Sequence, residues 1–252
     1  MARVMIDAGH GGTTDPGAVH EGRQEKDDNL RLALAVGKIL EENGVDVVYT
    51  RTEDVYQKPI EKAQIANASG ADYFVSLHRN SSPQENQYSG VETLVFSNTG
   101  EKAKMASAIN QNLEKVGFQN LGVSERPGLI VLRRTRMPAV LVETGFINSD
   151  ADNQMFDEKF SEIAQAIADG ILSVAGSDAD GQKLYRVQTG AFRRKEYAEE
   201  LLYQLLREGF PAYILKEDDL YKVQVGAFRN LDNAICMEAK LRQKGYATFI
   251  TT

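Results

Sequence analysis

Two rhythms of apolar positions run through the first two thirds of this chain. Short runs rich in β-branched and aromatic residues read as buried strands: Arg3 to Asp7 (RVMID), Val45 to Thr50 (VDVVYT), Asp72 to Leu77 (DYFVSL) and Ala139 to Val142 (AVLV). Between them apolar residues recur at helical spacing. Leu30, Leu34, Ile39 and Leu40 stripe a helix over Asp27 to Glu42, stopped by Gly44. Ile60 to Ala68 forms a second helix before Gly70, and Lys102 to Val116 a third, with Ala106, Ile109 and Leu113 on one face. A long helix follows Val142 and ends near Val174, and Val91 to Phe96 (VETLVF) alternates as an edge strand would. The pattern predicts an α/β domain with a mostly parallel twisted sheet and helices on both faces.

The rhythm changes after Val174. The stretch Tyr185 to Phe192 (YRVQTGAF) recurs as Tyr221 to Phe228 (YKVQVGAF). Each copy leads into a helical segment, then a Gly–aromatic pair (Gly209-Phe210, Gly245-Tyr246), then a strand. Two such units cannot bury their faces alone, so they share one sheet. The expectation is a small α+β module, βαββαβ, with both helices on one face. The domains are therefore read as 1–175 and 184–252, joined by a small, polar linker over 176–183.

Composition narrows the function classes. The 252 residues are 42% hydrophobic and 26% charged, as in ordinary globular chains, and no apolar run is long enough to span a membrane. Net charge is −7, but the segment from Leu184 onward carries 11 Lys and Arg against 9 Asp and Glu. An acidic body with a mildly basic tail argues against nucleic acid as the main partner, and the lack of a long apolar run argues against membrane insertion. The single cysteine, Cys236, excludes an intrachain disulfide and reads as packing in a helix. Oligomeric state is not encoded legibly. The opening MARVMIDAGHGG enters a strand directly and does not read as a signal peptide, so cytoplasmic synthesis with action after release is the expectation.

Candidate chemistry gathers at strand ends. His10 closes the first strand between glycines, His78 follows DYFVSL, and Glu143 follows AVLV. The carboxyl edge of an open α/β sheet is where ligands bind. Glu25 stands just before the first long helix, where a negative charge is favoured in any case. Two imidazoles and a carboxylate are a hydrolytic zinc set with one position left for water, and a separate carboxylate can move protons. The chain has only three histidines, and the third, His20, reads as a surface loop residue. Asp7 is a candidate to hold an imidazole tautomer. Arg133 and Arg134, after a strand-like LIVL, either line the cleft or form a solvated turn. Asn80 either contacts substrate or caps its loop. In the tail, Gln188 and Gln224 read as hydrogen-bonding groups on an open sheet face. Tyr185 and Tyr221 read as sugar-stacking rings or core, and Phe192 and Phe228 as core.

Taken together, IDAGHGG, DPGA, EKDDNL, TR, ADYFVSLHRN and PAVLVETGF resemble the zinc-dependent N-acetylmuramoyl-L-alanine amidases of bacteria and phages, from about Arg3 to Val174. The resemblance implies Zn2+ held by His10, Glu25 and His78, with Glu143 as catalytic glutamate. The sequence departs from the family at Arg79 to Ser82, which places that departure at the lip of the site. The tail resembles SPOR-type peptidoglycan-binding domains. The resemblance implies hydrolysis of the bond between N-acetylmuramic acid and L-alanine of the peptidoglycan stem, in the setting of an endolysin or a mother-cell lysin. The alternatives are a catalytically inactive wall-binding protein and a zinc carboxypeptidase; the four filled positions count against the first and the glycan-binding tail against the second.

Overall fold

A computed structural model describes residues 2–176, 185–217, 219–228 and 231–251. The chain divides into two compact units, Arg3–Ser177 and the C-terminal residues from Asp178. The linker expected at 176–183 lies, Gly176 apart, outside the described residues.

The first unit runs β1 (Arg3–Ala8), a small hairpin of β2 (Val19–His20) and β3 (Arg23–Gln24), α1 (Glu25–Glu42), β4 (Asp46–Tyr49), α2 (Pro59–Ser69), β5 (Tyr73–Asn80), β6 (Val91–Val95), α3 (Gly100–Val116), β7 (Asn120–Glu125), α4 (Ile130–Arg134), β8 (Ala139–Phe146), α5 (Asp150–Glu158) and α6 (Phe160–Ala175). Six strands form one sheet in the order β4-β1-β5-β8-β6-β7. All neighbours are parallel except β6 and β8. The β-branched runs are buried on both faces, as strands covered by helices on each side must be. On one face α2 and α4 supply Ala66, Val131 and Leu132 to a cluster with Met5, Phe74, Leu94 and Leu141. The other face is covered by α1, α3 and α6, whose stripes Leu32/Val36/Leu40, Met105/Ile109/Leu113 and Ile163/Ile167/Ile171 are all buried. Gly170 of α6 lets α3 approach, since a Cβ there would stand 2.6 Å from Ile109 Cγ1.

Three expectations are corrected. Val91–Val95 is an interior strand; the edge is β7, which carries no clear alternation in sequence. The LIVL run is not a strand but the start of α4, a four-residue apolar stretch being ambiguous between the two. The long helix before Val174 is two helices, broken where Lys159 leaves helical geometry at φ −115°.

The second unit runs β9 (Tyr185–Phe192), α7 (Lys195–Arg207), β10 (Tyr213–Glu217), β11 (Leu220–Phe228), α8 (Leu231–Gln243) and β12 (Phe249–Thr251). The strands form an antiparallel sheet in the order β10-β11-β9-β12. Val187, Val223 and Val225 from the strands pack with Ala198 and Leu205 of α7 and Ala234 and Leu241 of α8. Phe192 and Phe228 join that cluster. Cys236 is exposed on α8 and does not pack the core.

Candidate active site

The site lies at the carboxyl ends of β1, β5 and β8. His10 follows β1 in the left-handed region, φ 59°, a conformation that an L-residue adopts only when its surroundings over-determine it. The flanking chain does so. Gly11 N donates to Asp15 O at 2.9 Å, and the buried Arg51 guanidinium donates to the carbonyls of Ala8 and Gly9 at 3.0 Å each. His78 lies inside β5 and Glu143 inside β8, in parallel register with each other, so both project from the same sheet face. The two strands thus run past these residues, three beyond Glu143 and two beyond His78.

Glu25 is the first residue of α1, with its side chain 4% exposed. Its carboxylate bridges the imidazoles: Oε2 lies 3.2 Å from His10 Nε2 and Oε1 2.9 Å from His78 Nδ1. Three further donors fix it, the backbone N–H groups of Ala18 and Arg79 and the Asn29 amide, at 2.9, 3.1 and 3.1 Å. The rings of His10 and His78 meet edge to face at 5.0 Å. His10, Glu25 and His78 each offer one ligand atom, all within 4.8 Å of one another. Gly17 is required here, since a Cβ would stand 2.6 Å from Glu25 Oε2 and 2.7 Å from His10 Cδ2.

The electrostatics suit a cation. Burial opposes charge on His10, but its hydrogen bonds and ion pairs with Glu25 and Asp15 outweigh this and raise it to about 9. His78 is raised for the same reason, with Glu25 again outweighing burial. Burial works against the Glu25 carboxylate too, yet the two imidazoles hold its pKa far below the ordinary range. Glu143 behaves in the opposite way. Burial pushes it up to about 7, His78 pulls it down, and Glu25 and Glu92 add to the rise. Its Oε2 is buried without a partner among the described residues.

The other expected site residues fall elsewhere. Asp7 does not hold an imidazole. It is buried against the Lys62 ammonium and the Thr50 and Ser76 hydroxyls, each at 2.6 Å. Asp15 has the role expected of Asp7: its carboxylate accepts from His10 Nδ1–H at 2.7 Å and leaves Nε2 facing Glu25. Asn80 accepts from Ser81 N–H at 2.8 Å, the loop-capping arrangement. Arg133 and Arg134 end α4 with exposed side chains, while the recess beside the site is lined by residues 128–131 before them. Arg79 is not at the lip. It is 2% exposed, paired to Asp28 at 2.6 Å and stacked over Phe156 at 4.2 Å, so it braces the α1 terminus that carries Glu25. His20 is in β2 with its side chain only 13% exposed, 3.7 Å from Glu85. Sequence reasoning quoted Asp15 and Arg51 within the DPGA and TR motifs without giving either a role, and missed Glu92.

In the tail, Gln188 and Gln224 are buried, at 5% and 1% exposure, and Gln224 Nε2 donates to Tyr213 Oη and more weakly to Gly226 O. Tyr185 and Tyr221 are partly buried against the core cluster, so neither is a free stacking platform. Tyr213, Gln224, Gln188 and Phe249 are in register across the four strands, on the face opposite the helices. The two aromatics at the ends of this row are the exposed ones, Tyr213 at 39% and Phe249 at 46%.

Comparison with known proteins agrees with this geometry. Residues 4–173 match the family model described as N-acetylmuramoyl-L-alanine amidase, and residues 181–252 match the SPOR domain. The chain is 34% identical to the sporulation-specific N-acetylmuramoyl-L-alanine amidase of Bacillus subtilis (strain 168), covering 86% of each. It is 38% identical to the endolysin of Bacillus phage SPP1 over 68% of this chain and 65% of that one. The crystal structure of N-acetylmuramoyl-L-alanine amidase from Clostridium difficile 630 superposes with a TM-score of 0.66 at 33% identity, covering 71% of this chain and 98% of that one. The chain belongs to the N-acetylmuramoyl-L-alanine amidase family and carries a SPOR domain at its C-terminal end.

Proposed function

We propose that this peptidoglycan amidase is a zinc metallohydrolase, with His10, Glu25 and His78 as the metal ligands and Glu143 as the residue that moves protons. The observation that carries the reading is the buried carboxylate of Glu25 shared between two imidazoles whose ring nitrogens stand 2.9 and 3.2 Å from it. Two neutral imidazoles and one carboxylate fit zinc and leave it a net positive charge and an open position. Zinc held there supplies Lewis acidity, easing deprotonation of a water and polarising the lactyl-amide carbonyl.

The chain's own residues do the rest. Asp15 fixes the His10 tautomer through Nδ1, so that Nε2 is presented to the centre. Glu143, poised near neutrality, takes the proton of the attacking water and returns it to the departing alanine nitrogen. Glu143 Oε2 is buried without a partner among the described residues, so no protein hydrogen bond holds the carboxyl in one protonation state. No covalent intermediate is needed. All four groups are assembled, so nothing favours a catalytically inactive wall-binding protein, and nothing favours a carboxypeptidase.

The SPOR unit is proposed to hold glycan strands on the row Tyr213–Gln224–Gln188–Phe249, with the exposed aromatic ends against sugar faces. The names of the similar proteins, a sporulation-specific amidase and a phage endolysin, support a setting in which a cell wall is dismantled.

Product analysis on purified peptidoglycan tests the reading. The expected result is new N-terminal L-alanine without new reducing sugar ends, abolished by a chelator and restored by zinc. Turnover that survives complete metal removal would exclude the zinc assignment.

A further inference from the structure

Arg51 follows β4 and is buried, at 4% exposure. Among the described residues its hydrogen bonds all go to main-chain carbonyls. Nε donates to Ala8 O at 3.0 Å, Nη2 to Gly9 O at 3.0 Å and to Lys26 O at 2.9 Å, and Nη1 to Glu53 O at 3.1 Å. Ala8 and Gly9 are the two residues before His10, and Lys26 is the residue after Glu25. One guanidinium therefore grips the end of β1 and the first turn of α1, the two segments that carry these ligands. Gly9 passes the link to the third. Its N–H donates to the carbonyl of Leu77, the residue before His78, at 3.0 Å.

Two other side chains cross the gap between β1 and α1. Asn29 Nδ2 donates to Gly9 O at 3.3 Å and Lys26 Nζ to Gly12 O at 3.1 Å. Each makes one such contact, longer than those of Arg51 to Gly9 and Lys26. Burying a guanidinium is costly. Burial lowers the pKa of Arg51, although the charges of Asp7, Asp54, Asp27 and Asp15 oppose the fall. What the guanidinium adds is a rigid planar fork, which holds the acceptors it meets at a set separation and angle. The donors of a lysine ammonium radiate from a single atom and cannot reach all of these carbonyls at once.

We propose that Arg51 is a positioning residue of the amidase, setting the separation of His10 and Glu25 and through it the affinity of the centre for its metal. It acts through the peptide groups beside the ligands, not through their side chains. Without its grip the two segments are held by the lone Asn29 and Lys26 contacts, and an arriving ion must draw them together. Ordering that was complete before binding is then charged against affinity. The inference rests on the zinc reading above.

The test measures zinc affinity of the full-length protein by competition with a chelator, beside far-ultraviolet dichroism and the urea midpoint of the metal-free form. Arg51→Lys, which keeps the charge and loses the fork, is compared with wild type and with Ile171→Val, a change in the buried face of α6. Arg51→Lys should remain folded and bind zinc about 10–100-fold more weakly. Ile171→Val should lower the urea midpoint and leave zinc affinity as in wild type. Wild-type affinity in folded Arg51→Lys would overturn the proposal. Equal weakening in Ile171→Val would do so too, because the effect would then follow from lowered stability alone. Loss of dichroism in Arg51→Lys would assign the guanidinium to the fold and likewise overturn it. Failure of wild type to bind zinc would instead overturn the underlying metal assignment.

Discussion

Glu92 of β6 stands directly opposite Glu143 of β8 across the one antiparallel pair in the main sheet. Carboxylates opposite one another on a sheet face share a field, and the Glu92 charge makes Glu143 harder to ionise. Glu92 is itself held by the Ser124 hydroxyl, with the Arg126 guanidinium 4.0 Å away. It therefore keeps its position beside Glu143, the proposed proton carrier, and contributes to the raised pKa of about 7 there. Glu92→Gln removes one negative charge, so Glu143 should release its proton at lower pH. The acid limb of the kcat/KM profile is expected to move to lower pH. A limb that stays put or moves up would remove Glu92 from the electrostatics of the site.

Asp15 holds His10, one of the proposed metal ligands, without belonging to the proposed ligand set itself. Loss of such a partner commonly weakens metal affinity about 10–100-fold. Asp15→Ala is expected to fall in that range when zinc is titrated against a competing chelator. An affinity equal to wild type would mean that the His10 backbone alone presets the ring.

Loading the site should release protons. His10 is raised to about 9, so near neutral pH its ring holds a proton that a metal must displace, and His78 is raised in the same direction. At least about one proton per zinc is expected at pH 7, and affinity should weaken as pH falls. Calorimetry in buffers of different ionisation enthalpy measures this. Release of none would contradict the geometry around Glu25.

Asp7 and Lys62 form a buried pair in the floor beneath the site, 2.6 Å apart. Lys62→Met strands a buried carboxylate, which typically costs about 3–5 kcal/mol. The Asp7 pKa is lowered on folding, because Lys62 and the Ser76 and Thr50 hydroxyls outweigh burial. Its contribution is thus present above the ordinary carboxylate range and is lost as pH falls through the folded value. Urea unfolding should show a lower midpoint for Lys62→Met at pH 7, and a gap from wild type that narrows on acidification. An unchanged midpoint at pH 7 would show that the pair is energetically neutral.

Tyr213 and Phe249 are the exposed ends of the row across the tail sheet. Replacing both with alanine should weaken sedimentation with purified peptidoglycan by about tenfold, roughly 1.4 kcal/mol, without changing turnover of soluble muramoyl-peptides. Unchanged sedimentation would move glycan binding to another face of the unit.

The four central residues were legible because each sits in a short motif at a strand end or helix start, where local sequence decides what projects. Asp15 and Glu92 were not. Asp15 reaches His10 only because the glycine-rich loop folds back on itself, and Glu92 meets Glu143 only because β6 enters the sheet antiparallel, about 50 residues away in sequence. Arg79 reads as a polar loop residue until Asp28 and Phe156 are brought to it by α1 and α5. Gln188 and Gln224 looked exposed because amides usually are. Gln224 instead donates to Tyr213 Oη, its neighbour in register, and Gln188 lies in register between Gln224 and Phe249. The strand–helix rhythm survived because burial on both sheet faces leaves little freedom in those runs, whereas the weakly patterned edge strand β7 left no signal.

Gly9 lies against the His78 ring so closely that a Cβ there would overlap the imidazole. Gly17 is packed likewise against Glu25 and His10, so the three side chains are confined from the backbone side. Part of their side-chain entropy is therefore already lost once the chain has folded. An arriving ion finds a rigid socket, so capture and loss of metal should leave far-ultraviolet dichroism unchanged and show no refolding lag. On the proposed zinc reading, such a socket would make metal loading a reversible switch: the chain folded but idle without the cation, and active once it is supplied.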